Sequence, residues 1–491
     1  MVTMSRQAAV TRAQGWALAV SSLASFMVVL DLLVVATALN TIHRDLGASI
    51  GQLEWTVNAY TLTFAVLLMT AAAVGDRFGR RRVFAIGLGV FAAGSAACAL
   101  APGVGALIAA RTVQGTGAAM IMPMALALLN AAVPPQRRGW AMGIFGSVTA
   151  LATVVGPVLG GAITQGIAWP WIFWLNVPIG LVTIPLALRR LEESYGPRAA
   201  LDLPGVALGT AAALGLVWGL VRGSSAGWTS PEVAATLAAG AAAAVAFTAW
   251  ELRAPAPMLP MRLLRIRAFS AGNAVAFLQG ASVTGAVFFM AQFQQAVLGQ
   301  DPLAAGLRLL PWGVAPFLIA PRAGKLADRI GERPLVVSGL LLQAAGFAWI
   351  AAIAAPGLAY PAMLAPMMIS GAGLGLAIPA MTKAVVGSVP RADIGKASGS
   401  FSMMRQLGSA FGVAILAAVF AAAGSYTSAA AFSAGFAPAI AAATGLALAG
   451  ALSGLALPGR TSAAGQLIMS ANMPGSFSRV DRARVGADGP P

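Results

Sequence analysis

The chain has almost none of the groups on which metal and disulfide chemistry depend. Cysteine occurs once, at Cys98, and histidine once, at His43, among 491 residues. One cysteine cannot form an intramolecular disulfide, and the pair cannot build a zinc site of the usual Cys/His kind. Charge is equally scarce: 9% of residues are Asp, Glu, Lys or Arg, against about 25% in a soluble domain. A soluble protein of this length could not cover its surface with so few charges. Acidic residues are the rarer sign, 15 against 31 basic ones, leaving a net charge of +16. What the chain does have is apolar residues, 58% of the total, which excludes disorder. The composition is that of a polytopic helical membrane protein.

A membrane-spanning helix needs about 20 mostly apolar residues. Fourteen such stretches are legible: 15–39, 55–74, 83–101, 104–130, 139–165, 171–188, 203–221, 232–250, 269–298, 304–320, 335–355, 359–386, 395–423 and 436–457. The first is too long for a cleaved signal core and reads as an uncleaved helix. The basic residues alternate across these spans. Twenty-six of the 31 fall in every second connection, counting from the amino-terminal tail, and only Arg44 and Arg222 fall in the others. Arg111, Arg308 and Arg405 lie inside spans. Lys and Arg concentrate on the cytoplasmic side of membrane proteins, so both termini are expected in the cytoplasm. The same asymmetry accounts for the net charge and removes the case for nucleic-acid binding.

The chain also repeats itself. A shift of 256 aligns residues 115–156 with 371–412 without a gap, pairing Pro123 with Pro379, Pro134 with Pro390, Gly139 with Gly395 and Phe145 with Phe401. The reading is two parallel six-helix halves, 15–190 and 269–457, joined by two inserted helices with their flanking loops in 191–268. A cytoplasmic tail, 1–14, precedes them, and a Gly/Ser/Pro/Arg-rich tail, 458–491, is expected to be disordered.

Four segments carry chemistry. Gly75-Asp76-Arg77-Phe78-Gly79-Arg80 follows the second span, and Gly324-Lys325-Leu326-Ala327-Asp328-Arg329-Ile330-Gly331 follows the tenth. Asp76 and Asp328 are expected near helix amino termini, each next to an arginine. Arg111 sits within a span, where a charge costs at least about 2.5 kcal/mol unless it faces a cavity or a partner. Gln114, Gly115 and Ala118 share its helical face. Asp31 is the acid expected deep in a span, with Glu54, Glu232 and Glu251 at span ends. Beside Arg111 it would form a carboxyl able to bind and release protons as water access changes. Lastly, Gly143, Gly156, Pro157, Gly160 and Gly161 make a small-residue face with a kink-forming proline in the fifth span.

These segments together resemble the major facilitator superfamily, and in particular its fourteen-helix drug–proton antiporters. The two Asp-Arg-x-Gly copies resemble its G-x-L-x-D-R-x-G-R signature, which the first copy departs from at Ala72 and Val74. Arg111 to Ala119 resembles R-x-x-Q-G-x-G-A-A. Leu30-Asp31 to Asn40 is similar to L-D-x-T-V-V-N-V-A-L-P, with Leu33, Ala36 and Asn40 in place of Thr, Asn and Pro. Gly156-Pro157-Val158-Leu159-Gly160-Gly161 resembles the antiporter motif G-P-x-x-G-G of exporters. Trp169-Pro170-Trp171 to Gly180 is similar to W-R-W-x-F-x-x-N-x-P-x-G, with Pro170 replacing Arg.

The resemblance implies an all-α integral membrane transporter working by alternating access. It would exchange protons for small hydrophobic or cationic drugs or antibiotics, with coupling at Asp31 and Arg111. The cytoplasmic gate would comprise Asp76, Arg77, Gly79, Arg80, Asp328, Arg329 and Gly331. Candidate substrate-cavity residues are Gln114, Asn58, Tyr60, Asn176, Gln279, Phe288, Gln292 and Arg405. Neither a cofactor nor a metal is expected, since the proton gradient supplies the energy and no G-x-x-x-x-G-K-[ST] loop occurs. Its surroundings would be the lipid bilayer of the cell membrane, as a monomer without catalytic residues. Three lysines beside 28 arginines suit a GC-rich bacterial gene. Proton-coupled uptake on the same fold remains open, although Gly156-Pro157 speaks against it. A non-transporting receptor also remains open, whereas a membrane enzyme would need a polar cluster richer than one buried acid.

Overall fold

The computed structural model describes residues 11–134, 137–196, 202–259, 261–390 and 393–459. All regular structure among them is helical. The first half comprises α1 (Arg12–Leu46), α2 (Ile50–Phe78), α3 (Arg80–Ala99), α4 (Val104–Ala132), α5 (Arg138–Gly166), α6 (Trp171–Trp174) and α7 (Asn176–Arg190). Then follow α8 (Leu203–Ala226), α9 (Pro231–Glu251) and the short α10 (Met261–Leu264). The second half comprises α11 (Arg267–Ala296), α12 (Pro302–Arg308), α13 (Leu310–Ile330), α14 (Glu332–Ile353), α15 (Tyr360–Gly387), α16 (Ile394–Ala423) and α17 (Ala429–Gly454). Thirteen helical segments among the described residues are long and apolar enough to cross a membrane. Two of them, Trp171–Arg190 and Pro302–Gly324, contain a break. To these α5 adds 29 helical residues, several with side chains outside the described set.

Helix ends follow local chemistry. Thr11 with Gln14 and Ser49 with Gln52 form capping boxes at α1 and α2, each satisfying orphan amides of the first turn. Gly79 and Gly331, with φ of 108° and 89°, are the single residues separating α2 from α3 and α13 from α14. Only glycine takes that backbone without strain, which explains the last Gly of each Asp-Arg-x-Gly copy. The segments placed after the second and tenth spans are therefore helix ends: Gly75–Phe78 belongs to α2 and Gly324–Ile330 to α13.

Other expectations change as well. The predicted span 171–188 is interrupted at Leu175, between α6 and α7, and 304–320 is broken at Leu309. Of the amino-terminal tail, 1–14, residues 1–10 lie outside the described residues, and α1 already begins at Arg12. Of the carboxy-terminal tail only Pro458 and Gly459 are described; 460–491 lies outside the described residues.

The apolar core divides unequally along the molecule. One end carries the α2–α3 and α13–α14 turns and most of the arginines; the opposite end is arginine-poor. At the arginine-poor end one continuous core joins the halves, combining Val34, Leu39, Leu53 and Phe173 with Phe289, Phe293, Phe420 and Phe436. Phe293 stacks on Phe436 at 4.2 Å and Phe289 on Phe420 at 4.9 Å. Toward the arginine-rich end each half has its own core. Met27, Tyr60, Phe84, Phe91 and Met124 belong to the first, and Phe269, Val336, Leu340, Met381 and Phe401 to the second. The inserted helix α8 packs on α2 and α16 through Leu62, Val66, Val217, Val221 and Ala414. It thus straddles one seam between the halves.

Candidate functional site

The polar centre of the first half is assembled from five elements. Asp31 projects from α1, Ser95 from α3, Arg111 and Gln114 from α4, and Tyr60 from α2. The break after α6 brings in Asn176 as the first residue of α7. Close helix approach makes this possible. A Cβ on Gly94 would sit 2.8 Å from the Gln114 amide nitrogen, and one on Gly115 would strike the Tyr60 backbone. Small residues at those positions let polar side chains meet across very short interhelical distances.

The geometry is that of a charge pair with a hydrogen-bonded collar. Arg111 Nη1 donates to Asp31 Oδ2 at 2.5 Å and to Gln114 Oε1 at 2.6 Å. Gln114 Nε2 donates to Asp31 Oδ1 at 2.7 Å and to Ser95 Oγ at 2.5 Å. Asn176 Nδ2 donates to Asp31 Oδ1 at 2.8 Å. Arg111 Nε donates to the Thr56 carbonyl at 3.0 Å, and its guanidinium lies 4.2 Å from the Tyr60 ring centre. Arg111 is 0% exposed and Asp31 2%. Such a pair survives burial because each charge has its counter-ion and several donors or acceptors. Two atoms are left over, Arg111 Nη2 and Asn176 Oδ1, buried without a partner. The collar therefore holds unused bonding capacity beside its one carboxylate.

Five predicted residues thus come together: Asp31, Arg111, Gln114, Tyr60 and Asn176. Ser95 and the Thr56 carbonyl were not anticipated, and Phe173, whose ring lies 5.7 Å from the guanidinium, stands in the quoted tryptophan motif but was given no role there. A serine and a backbone oxygen carry no sequence mark of their contacts. The remaining cavity candidates lie elsewhere. Phe288 and Gln292 are on α11, Phe288 in the joined core; Gln292 Nε2 donates to the Phe288 carbonyl, and its Oε1 accepts from Tyr426. Gln279 is buried in α11. Asn58 is fully buried with both amide atoms unpartnered. Arg405, on α16, is partly buried and its Nε has no partner.

The gate residues arrange differently from the expectation. Asp76 ends α2 rather than beginning a helix, and it pairs with Arg80 of its own half at 2.8 Å. The strand of chain after α7 straps this turn: Ser194 accepts the Arg80 amide at 3.0 Å and Glu193 the Arg81 amide at 2.8 Å. A Cβ on Gly79 would press on the Glu193 carboxylate. Arg77 lies against Phe78. In the second copy Arg329 is exposed on α13, while the Asp328 side chain lies outside the described residues. The surroundings of Gly143 in α5 are likewise outside them.

The fifth-span motif is a two-sided contact. A Cβ on Gly156 would meet Leu33 at 2.9 Å and one on Gly160 would meet the Val34 carbonyl at 2.7 Å, so this face seats α5 on α1. Gly161 and the Pro157 carbonyl face Pro302 and Gly306 of α12 in the other half. Gln295 Nε2 adds a bond to the Thr37 carbonyl at 2.9 Å across the same seam. A separate cavity of about 1260 Å³ opens between α2, α4 and α8. Trp55 and Trp218 line it, and none of the predicted cavity residues does.

Two helical halves that share one core at the arginine-poor end, the first with an ion pair buried inside it, fit a secondary-transporter architecture. Comparison with known proteins identifies which one. The Major Facilitator Superfamily profile matches residues 21–273 and 273–451, and the chain belongs to that family. It is 34% identical over 398 residues to the tetracenomycin C resistance and export protein of Streptomyces glaucescens, covering 80% of this chain and 74% of that one. It is 34% identical over 413 residues to the multidrug resistance protein Stp of Mycobacterium tuberculosis, covering 84% and 76%. The cephamycin export protein CmcT of Amycolatopsis lactamdurans is 36% identical over 411 residues, covering 82% and 84%. Among solved structures, a D-xylose–proton symporter superposes with a TM-score of 0.64 at 16% identity, over 91% of this chain and 98% of that one, which bears on the fold alone. The protein is a multi-pass membrane transporter of this superfamily.

Proposed function

We propose that the protein exports hydrophobic or cationic antibiotics and drugs across the cell membrane in exchange for protons, by alternating access, with both termini in the cytoplasm. The observation that carries this reading is the Asp31–Arg111 pair, sealed beneath the joined core at the arginine-poor end. With arginines on the cytoplasmic side, that joined core is an external seal and the separate cores lie toward the cytoplasm. The arrangement supports a substrate-loading state, with Asp31 awaiting a proton from outside once the seal opens. Export by the tetracenomycin and cephamycin relatives supports the direction. Fourteen spans are part of this reading, α5 completing the set, as are two six-helix halves with α8 and α9 between them.

The test uses inside-out membrane vesicles with an acid interior. Addition of dyes and antibiotics should release protons in the protein's presence, and Asp31→Asn should abolish the release. Release that survives Asp31→Asn moves coupling to another group. An absence of release with every compound argues against drug–proton exchange.

A further inference from the structure

Glu54 stands outside everything described so far. It was expected at a span end, yet it lies within α2, 1% exposed, with Oε2 buried and without a partner. Its sequence neighbours Leu53 and Val57 belong to the core that joins the halves. No ion pair compensates it among the described residues. The basic groups on neighbouring elements bond elsewhere: His43 Nδ1 of α1 contacts the Ala48 carbonyl at 2.7 Å, Arg222 of α8 is held by both oxygens of Glu232, and Arg111 of α4 is engaged by Asp31, Gln114 and Thr56. The segment after α16, in the second half, contributes Tyr426, whose hydroxyl donates to Gln292. Tyr426 sits between the His43 ring at 5.8 Å and Phe420 at 5.4 Å.

A carboxylate ion in that position would be buried without a counter-ion and with an oxygen lacking a donor, a cost of several kcal/mol at least. The neutral acid removes the charge. When the halves part at this end, water reaches the group and the ion becomes the stable form. Closure and protonation are then thermodynamically linked, each favouring the other.

We propose that Glu54 is a second proton-binding carboxyl, separate from Asp31, whose proton permits the arginine-poor end to close. It rests on the alternating-access reading above, but its test needs no transport. In the Cys98→Ala background, Gln295→Cys places a thiol at the seam, where Gln295 bonds to Thr37 across the halves. Alkylation of the purified protein in liposomes by a polar maleimide is followed against pH. Each rate is divided by that of the detergent-unfolded protein at the same pH.

The normalised rate should fall on acidification, by up to about tenfold per pH unit, the limit for one titrating proton. Glu54→Gln should make it low and flat, whereas Asp31→Asn should leave the dependence in place. Glu54→Asp should retain it with a displaced midpoint. An unchanged pH profile in Glu54→Gln overturns the proposal. Should Glu54→Gln not accumulate, an unchanged midpoint in Glu54→Asp overturns it equally. Failure of drug-dependent proton release with a pH-dependent seal intact would count against the export reading and leave this one standing.

Discussion

At the residue scale the central fact is that Asp31 accepts three charge-directed hydrogen bonds, from Arg111, Gln114 and Asn176. Removing one partner of a buried pair is far costlier than the net worth of the pair, because the other charge is left behind. Asp31→Asn should therefore lower the unfolding free energy of the detergent-solubilised protein by about 3–5 kcal/mol, read as a fall in thermal midpoint, besides stopping exchange. Asn176→Ala removes a single donor to a charged acceptor, worth about 1.5–3 kcal/mol. Because both touch the same carboxylate, the double variant should be less destabilised than the two singles combined. Additive losses would mean that Asn176 acts independently of Asp31. The repeat sharpens the point. Shifted by 256, Asp31, Arg111 and Asn176 fall on Val287, Met367 and Phe432, all buried apolar residues of the joined core. The second half keeps the framework and has exchanged the ion pair for packing.

At the element scale, the α5 glycines decide how the halves meet. Gly161→Ala puts a methyl onto the Pro302 carbonyl, whereas Gly146→Ala, in the same helix, meets nothing within 4 Å. Overpacking costs about 1–3 kcal/mol, and here the cost falls only on the closed form of the arginine-poor end. Gly161→Ala should therefore slow export in vesicles by about tenfold or more, with Gly146→Ala near the parent rate. Equal effects would remove the seam contact from the mechanism. The inserted pair has its own clasp. Asp202 caps α8 by accepting the Gly205 amide at 2.9 Å, and it also accepts from Trp250 of α9 at 2.7 Å and from the Met258 amide at 3.2 Å. Burial pushes its carboxyl up, but these bonds outweigh burial and hold it below the usual aspartate range. A depressed carboxyl contributes stability above its unfolded-state value and loses it as pH falls through the folded one. Trp250 fluorescence should thus report loosening of the α8–α9 pair below about pH 4. Asp202→Ala should remove that transition and cost about 1 kcal/mol as a lost cap. A transition that persists in Asp202→Ala would assign it to another acid.

At the scale of the whole molecule, one end is a single core and the other is two. Opening the joined end would expose the stacked rings of Phe289, Phe293, Phe420 and Phe436 to water, at about 25 cal/mol for each Å² uncovered. The separate cores at the other end carry no such penalty in the state described. Spin labels paired across the halves should therefore show opposite changes at the two ends when drug and a proton gradient are supplied, one distance lengthening as the other shortens. Parallel changes would contradict a rocking of two rigid halves.

Much of this was legible beforehand. The helical membrane character, the repeat and the segregation of arginine follow from hydrophobic run length, self-similarity and charge placement, which a bilayer reads directly. Asp31 and Arg111 were legible because a charge inside an apolar run demands a partner. Ser95 and the Thr56 carbonyl were not, since such groups acquire a role only through the neighbour they touch. Glu54 shows the same limit from the other side. Its place in the chain reads as a span end, and only the core that its neighbours Leu53 and Val57 share with second-half phenylalanines turns it into a buried acid.

By itself, then, the sequence determined the class of protein, its helices, its two-fold repeat and the identity of its buried ion pair, because these depend on local composition and spacing. The tertiary structure alone decided which end is closed, that Asp76 pairs within its own half, and that the second half answers a polar centre with an apolar one. Those outcomes depend on contacts between residues hundreds of positions apart, where packing geometry selects among partners that the linear order leaves equivalent.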